Sequence, residues 1–251
     1  YQFQGNPFFG HLPELWDQTL YHKGAQALVE GDPFALAPGE PNQQSPFYQY
    51  FLGLIYFFSG VELTSAWIVQ LILGVVSTFL VYVIAKRYMS QGSAFMAAVM
   101  FTFYGGNWFY ECTLYRASLV TLLILSVCLL LLRFAERPSI GLLIGSALSL
   151  SFLTQARTNL VLFVPLALVY LWRKVFSRRD MGRKWLAGYL VIFFLASLPL
   201  LVWVKQIHGN WGPYDQTGGE NLYLANSPDY SVRSVVHDNE YRNLLESERL
   251  G

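Results

Sequence analysis

The sequence predicts an all-α fold, a polytopic bundle of transmembrane helices with external juxtamembrane helices beside it. Three observations carry this. Hydrophobic residues make up 54% of the 251-residue chain and charged residues only 13%, against roughly 25% charged in a typical soluble domain. The apolar residues gather in runs long enough to approach the ~30 Å hydrocarbon core of a bilayer. The few charges are sorted by loop, which a soluble protein has no reason to do.

The six expected spans are Thr64 to Ala85, Ser93 to Phe109, Thr113 to Leu132, Ser139 to Thr154, Thr158 to Trp172 and Trp185 to Val204. With six spans, alternate loops share a side. One side then receives Lys86, Arg87, Arg133, Arg137, Arg173, Lys174, Arg178, Arg179, Arg183 and Lys184, ten of the 17 basic residues. The positive-inside rule makes that side cytoplasmic. All of the 16 acidic residues except Glu136 and Asp180 fall on the other. The expected organisation is an external first loop over 1–46, an interfacial or half-buried helix over 47–60, a bundle over 61–204 and an external segment over 205–251. The chain begins at Tyr1 without the features of a signal peptide. An external N-terminal segment needs a span to carry it across, so the sequence reads as part of a longer chain with an upstream signal anchor.

Composition also excludes classes. There is no basic patch for a nucleic-acid partner. Two cysteines, Cys112 and Cys128, provide neither a disulfide framework nor a Cys-based zinc site. The 17% aromatic share suits long membrane–water interfaces, where amphipathic rings settle.

In the first loop, apolar residues recur at 20, 21, 25, 28 and 29, and Gly31 and Pro33 follow. That spacing predicts an amphipathic helix from Asp17 to Glu30, lying on the membrane surface. Asp17 at its start reads either as an N-cap carboxylate or as a carboxylate aimed at a substrate. After a Pro-, Gly- and Gln-rich loop comes the apolar stretch from Phe47 to Ser59, too short for a span.

These segments carry a resemblance. The order Asp17-x-x-x-Tyr21-x-x-x-Ala25-x-x-Leu28-x-x-Gly31-Asp32, then Ser45-Pro46-Phe47-Tyr48-x-Tyr50 running on to Gly60, resembles the first external loop of GT-C glycosyltransferases. The branch is that of the bacterial relatives of dolichyl-phosphate-mannose-protein mannosyltransferases and of the lipid A aminoarabinose transferase. The span ending Val81-Tyr82-Val83-Ile84-Ala85-Lys86-Arg87 and the tail Gly218-Gly219-Glu220-Asn221-Leu222-Tyr223-Leu224-Ala225-Asn226-Ser227-Pro228 are similar to later parts of that family. Its members have a span before the first loop, and most continue beyond this tail.

The resemblance implies a GT-C-like bundle that moves a sugar from a polyprenyl-phosphate donor to an acceptor at the external face. The acceptor is a protein, lipid or glycan that the sequence does not name. Inverting displacement needs a base for the acceptor proton and cationic or N–H groups for the departing phosphate. Asp17 matches the family's first-loop acid and is the expected base. Gln18 stands where the family often has a second acid, which narrows the chemistry to a single carboxylate. Arg116 and Arg157, at the external ends of apolar runs, and Lys23 are the expected phosphate ligands, with helix anchoring or a Glu111–Arg116 pair as the plainer readings. Tyr21, His22, Glu111, Glu220, Asn221 and Tyr223 are the further candidates for substrate contact. No cofactor is expected, and no metal, because clustered carboxylates or histidines are missing. The expected setting is a bacterial inner membrane, among membrane lipids. Two other classes stay open. A secondary transporter would show mid-span charges and repeated breaks. A non-catalytic scaffold subunit would sit in a larger membrane complex.

Overall fold

The computed structural model describes residues 17–34, 45–176, 182–209, 211, 212 and 226. The chain divides into two units, Tyr1–Tyr214 and Asp215–Gly251; of the second only Asn226 is described. Glu220, Asn221 and Tyr223, and the loop over 35–44, therefore lie outside the described residues.

The described part of the first unit is helical, and four of its segments are long and apolar enough to cross a membrane: Leu63–Ala85, Ala117–Glu136, Thr158–Val175 and Gly182–His208. The apolar helix Ile140–Ala156 is shorter. In order, the helices are α1 (Asp17–Val29), α2 (Phe47–Ser59), α3 (Leu63–Ala85), α4 (Gln91–Thr102), α5 (Gly105–Glu111), α6 (Ala117–Glu136), α7 (Ile140–Ala156), α8 (Phe163–Leu171) and α9 (Gly182–His208). A 3-10 turn at Thr158–Leu162 precedes α8 and a π turn at Trp172–Phe176 follows it.

Local chemistry sets the ends. Gly31 closes the turn after α1 at φ 103° and Gly60 ends α2 at φ 81°, a region in which a side chain would be strained. Ser90 Oγ accepts from the Ser93 N–H at 3.2 Å and Ser139 Oγ from the Leu142 N–H at 3.3 Å, capping α4 and α7. Pro199 inside α9 removes one backbone donor from that helix.

The expected span from Ser93 to Phe109 is not one helix. α4 stops at Thr102 and α5 starts at Gly105. Two side chains beyond the break take carbonyls that a continuing helix would have used: Asn107 Nδ2 donates to the Phe101 oxygen at 2.8 Å and Trp108 Nε1 to the Thr102 oxygen at 2.6 Å. Gly105 and Gly106 add the poorest non-proline helix propensity at the same place. At 1.5 Å per residue, α4 with its 12 residues is only about 18 Å long.

Two hydrophobic clusters organise the packing. One packs Val120, Val127, Leu131 and Phe134 of α6 with Leu143, Ala147, Leu150 and Leu153 of α7, Leu171 of α8 and Tyr189 of α9; α6 and α7 present the three- and four-residue spacing of an apolar stripe. The other joins α1, α2 and α3 through Tyr21, Tyr48, Leu52, Tyr56 and Ala66, together with Leu114 and Leu119.

Side-chain bonds tie helices together at both ends of the bundle. Arg87 and Glu136 form an ion pair at 2.7 Å, tying the C-terminal ends of α3 and α6 at the basic end. Glu136, one of the two acidic residues on that side, is thereby accounted for. At the opposite end, Ser45 Oγ donates to the Gln155 oxygen at 2.5 Å and Trp203 Nε1 to the Phe34 oxygen at 2.9 Å.

Candidate functional site

The segment from Glu111 to Arg116, between α5 and α6, is held from three sides at the end opposite the basic loops. From α1, the Gln18 side-chain oxygen accepts the Leu114 N–H at 3.1 Å. From α3, Gln70 Nε2 donates to the Thr113 oxygen at 2.8 Å and the Glu111 oxygen at 3.3 Å. From α2, the Tyr48 hydroxyl donates to Gln70 Oε1 at 2.7 Å. Gln18, Tyr48 and Gln70 are all at most 1% exposed. Polar groups this deep are held because each is bonded.

Asp17 is the exposed residue that opens α1, and its neighbour Gln18 anchors it to this segment. The Tyr115 hydroxyl is pushed up by burial and then by the Asp17 charge, while the Gln18 amide beside it acts in the other direction. The carboxylate, the amide and the phenol thus share one small region. Gln18, standing where the family often has a second acid, works as a structural acceptor through its side-chain oxygen. Tyr21, four residues after Asp17, is fully buried with its ring edge-on to Tyr48 at 5.0 Å, so it fixes α1 rather than facing a ligand.

His22 Nδ1 meets the Tyr56 hydroxyl at 2.9 Å, and burial pushes its imidazole below the ordinary histidine range. It belongs to the α1–α2 contact, not to the exposed edge beside Asp17. Lys23 is exposed, but on a helix it points about 120° away from Asp17, six residues on. Arg116 and Arg157 come to the same end by topology: α6 and α7 pack against each other, Arg116 immediately precedes α6 and Arg157 immediately follows α7. Arg157 is exposed on extended backbone, φ −151° and ψ 103°, and among the described residues its guanidinium has no ion-pair partner.

Glu111 is half-buried at the end of α5 and makes no ion pair with Arg116 among the described residues. Its carboxylate lies against Gly74 of α3, so closely that a Cβ there would overlap Oε1. Among the described residues, no three His, Cys, Asp or Glu side chains cluster as metal ligands.

The sequence model of the family described as dolichyl-phosphate-mannose-protein mannosyltransferase matches residues 43–203, from the start of α2 nearly to the end of α9. The chain belongs to that family. It is a multi-pass membrane glycosyltransferase of GT-C type, using a lipid-linked sugar donor. Neither a curated protein nor a solved structure matches it. Gln70, Gly74 and Tyr115 were not singled out from the mannosyltransferase-family sequence. Gln70 carried a usable signal: a lone amide inside a long apolar helix has to find a partner.

Proposed function

We propose that the chain transfers a sugar from a polyprenyl-phosphate donor to an acceptor hydroxyl or amine, with inversion, and that Asp17 is the general base. The acceptor oxygen or nitrogen attacks the anomeric carbon, the bond from that carbon to the phosphate oxygen breaks, and the polyprenyl phosphate leaves with the electron pair. The acceptor proton goes to the Asp17 carboxylate. The observation that carries this is the placement of an exposed Asp17 beside Tyr115, at the end of the bundle where Arg116 and Arg157 also stand. Arg157, exposed and without an ion-pair partner among the described residues, is suited to the donor phosphate, since a guanidinium matches two phosphate oxygens at once. Arg116 supports it from the neighbouring helix, and Lys23, on another face of α1, serves the phosphate only at longer range.

The concentration of basic residues at the opposite end supports placing this face outside the plasma membrane of a bacterium. The face is then the one on which lipid-linked sugar and acceptor meet.

The test is transfer from a polyprenyl-phosphate sugar by the purified chain and its Asp17→Asn variant. A positioned base contributes about 10²–10⁴-fold, and a loss of that size at unchanged folding is expected. Transfer at the wild-type rate would remove Asp17 from the mechanism. Arg157→Ala is expected to raise the KM for the donor more than it lowers kcat.

A further inference from the structure

A cavity of about 20 Å³ lies between α3, α5 and α6, room for one water-sized sphere. Its wall has a simple construction. Gly74 and Ser77 of α3, Asn107 and Glu111 of α5, and Ser118 and Thr121 of α6 form one side of it, and Phe101, Tyr110 and Ala117 close the rest. Residues three apart on a helix are neighbours on one face. The Glu111 carboxylate, lodged against Gly74, is therefore one turn from Ser77.

Two groups in this wall lack partners. Ser77 is 1% exposed and its Oγ has no hydrogen bond. The Glu111 carboxylate has no ion pair among the described residues, and none of the cavity-lining residues is a Lys, Arg or His. A buried hydroxyl and a carboxylate left this way are costly unless something occupies the space between them. Two further polar groups of the lining can accept as well. Ser118 Oγ donates to the Tyr110 oxygen at 3.1 Å and keeps its lone pairs. Asn107 Nδ2 is engaged by Phe101, which leaves the amide oxygen as its unused polar atom.

The ligand set is thus oxygen with a single negative charge. Oxygen ligands select hard cations. One carboxylate in a low-dielectric site balances one positive charge, whereas a divalent ion would leave an excess. We propose that the α3–α5–α6 cavity is a binding site for a monovalent cation of sodium size, ligated by the Glu111 carboxylate with hydroxyl oxygens of Ser77, Ser118 and Thr121. It ties α5 and the start of α6 to α3. The inference is independent of the sugar-transfer reading, because its readout is ion binding.

The experiment measures the thermal unfolding of the purified full chain in sodium chloride and in choline chloride at equal ionic strength, with the ²³Na NMR linewidth alongside. Sodium at about 100 times its Kd is expected to raise Tm by about 5 °C or more and to show exchange broadening. Glu111→Gln should abolish both effects. Ser77→Ala removes only an unpartnered hydroxyl, so it should fold normally in choline and weaken the sodium response by about tenfold. Should Glu111→Gln fail to fold, the Ser77→Ala titration decides. Equal Tm in sodium and choline for the unmodified chain would overturn the proposal, leaving water or a proton as the occupant. A sodium response undiminished by Ser77→Ala would overturn it as well, by placing the ion elsewhere.

Discussion

The Tyr48 hydroxyl donates to Gln70 Oε1 across 2.7 Å, with the two side chains 1% and 0% exposed. This bond connects α2 to α3, and the Gln70 amide passes the constraint on to the Thr113 and Glu111 carbonyls. Tyr48→Phe keeps the ring against Tyr21 and deletes one donor. It leaves Gln70 Oε1 buried without a partner, a loss of about 1–3 kcal/mol. Thermal unfolding in detergent should register this as a Tm lower by several degrees. In a double-mutant cycle with Gln70→Leu the two losses should be less than additive. Strict additivity would mean that the bond contributes nothing.

A second consequence concerns pH. Burial lowers the His22 pKa in the folded chain, so between that lowered value and the ordinary ~6.5 of the unfolded chain the unfolded state binds more protons. Stability therefore falls as pH drops through this window and is fully present above it. The loss is local to the α1–α2 contact, where His22 meets Tyr56 at 2.9 Å. Hydrogen exchange of α1 amides should accelerate, beyond the intrinsic pH effect, as pH is lowered below about 6.5. His22→Gln should remove that dependence. If the variant and the unmodified chain respond alike, His22 is not the titrating group.

Gln18 offers a third check. Its side-chain oxygen accepts the buried Leu114 N–H at 3.1 Å, so Gln18→Leu, similar in size, should cost about 1–3 kcal/mol by orphaning that donor. Because the same contact anchors Asp17, transfer activity should fall with it while the donor KM stays within a few-fold. Limited proteolysis near α1 would report the loosening. Gln18→Glu retains an acceptor for Leu114 but buries a charge, so it should be worse near neutral pH than in acid, where the carboxyl is neutral.

These cases show what the sequence makes legible. Helix α1 and helix α2 were expected from spacing and length, and both appear, α2 over Phe47–Ser59 and α1 starting at Asp17. The Arg87–Glu136 pair ties the C-terminal ends of α3 and α6, a contact between two loops that the sequence marks only as charged. What stayed hidden was tertiary. The break between α4 and α5 depends on where the Asn107 and Trp108 side chains turn, and periodicity alone does not report that. The buried face of α1 includes Gln18, Thr19 and Gly24; a hydrophobicity pattern cannot assign a polar face to the interior, because its burial depends on partners from the distant segment near Leu114. Likewise Gly74 reads as one small residue in an apolar run until the Glu111 carboxylate is seen against it.

That last contact supports a fourth prediction. A Cβ at position 74 would overlap the Glu111 carboxylate, and of the two partners the helix backbone of α3 is the stiffer. Gly74→Ala should therefore displace the Glu111 side chain rather than bend α3. The expected cost is about 1–3 kcal/mol from the overpacked contact, reduced by the better helix propensity of alanine, about 1 kcal/mol over glycine. Glu111→Ala combined with Gly74→Ala should recover most of the loss, because the new methyl then fills space that the carboxylate vacated. Unfolding curves of the two single variants and the double variant test this directly. A double variant as unstable as the sum of its parts would show that Glu111 and Gly74 do not touch in the folded protein.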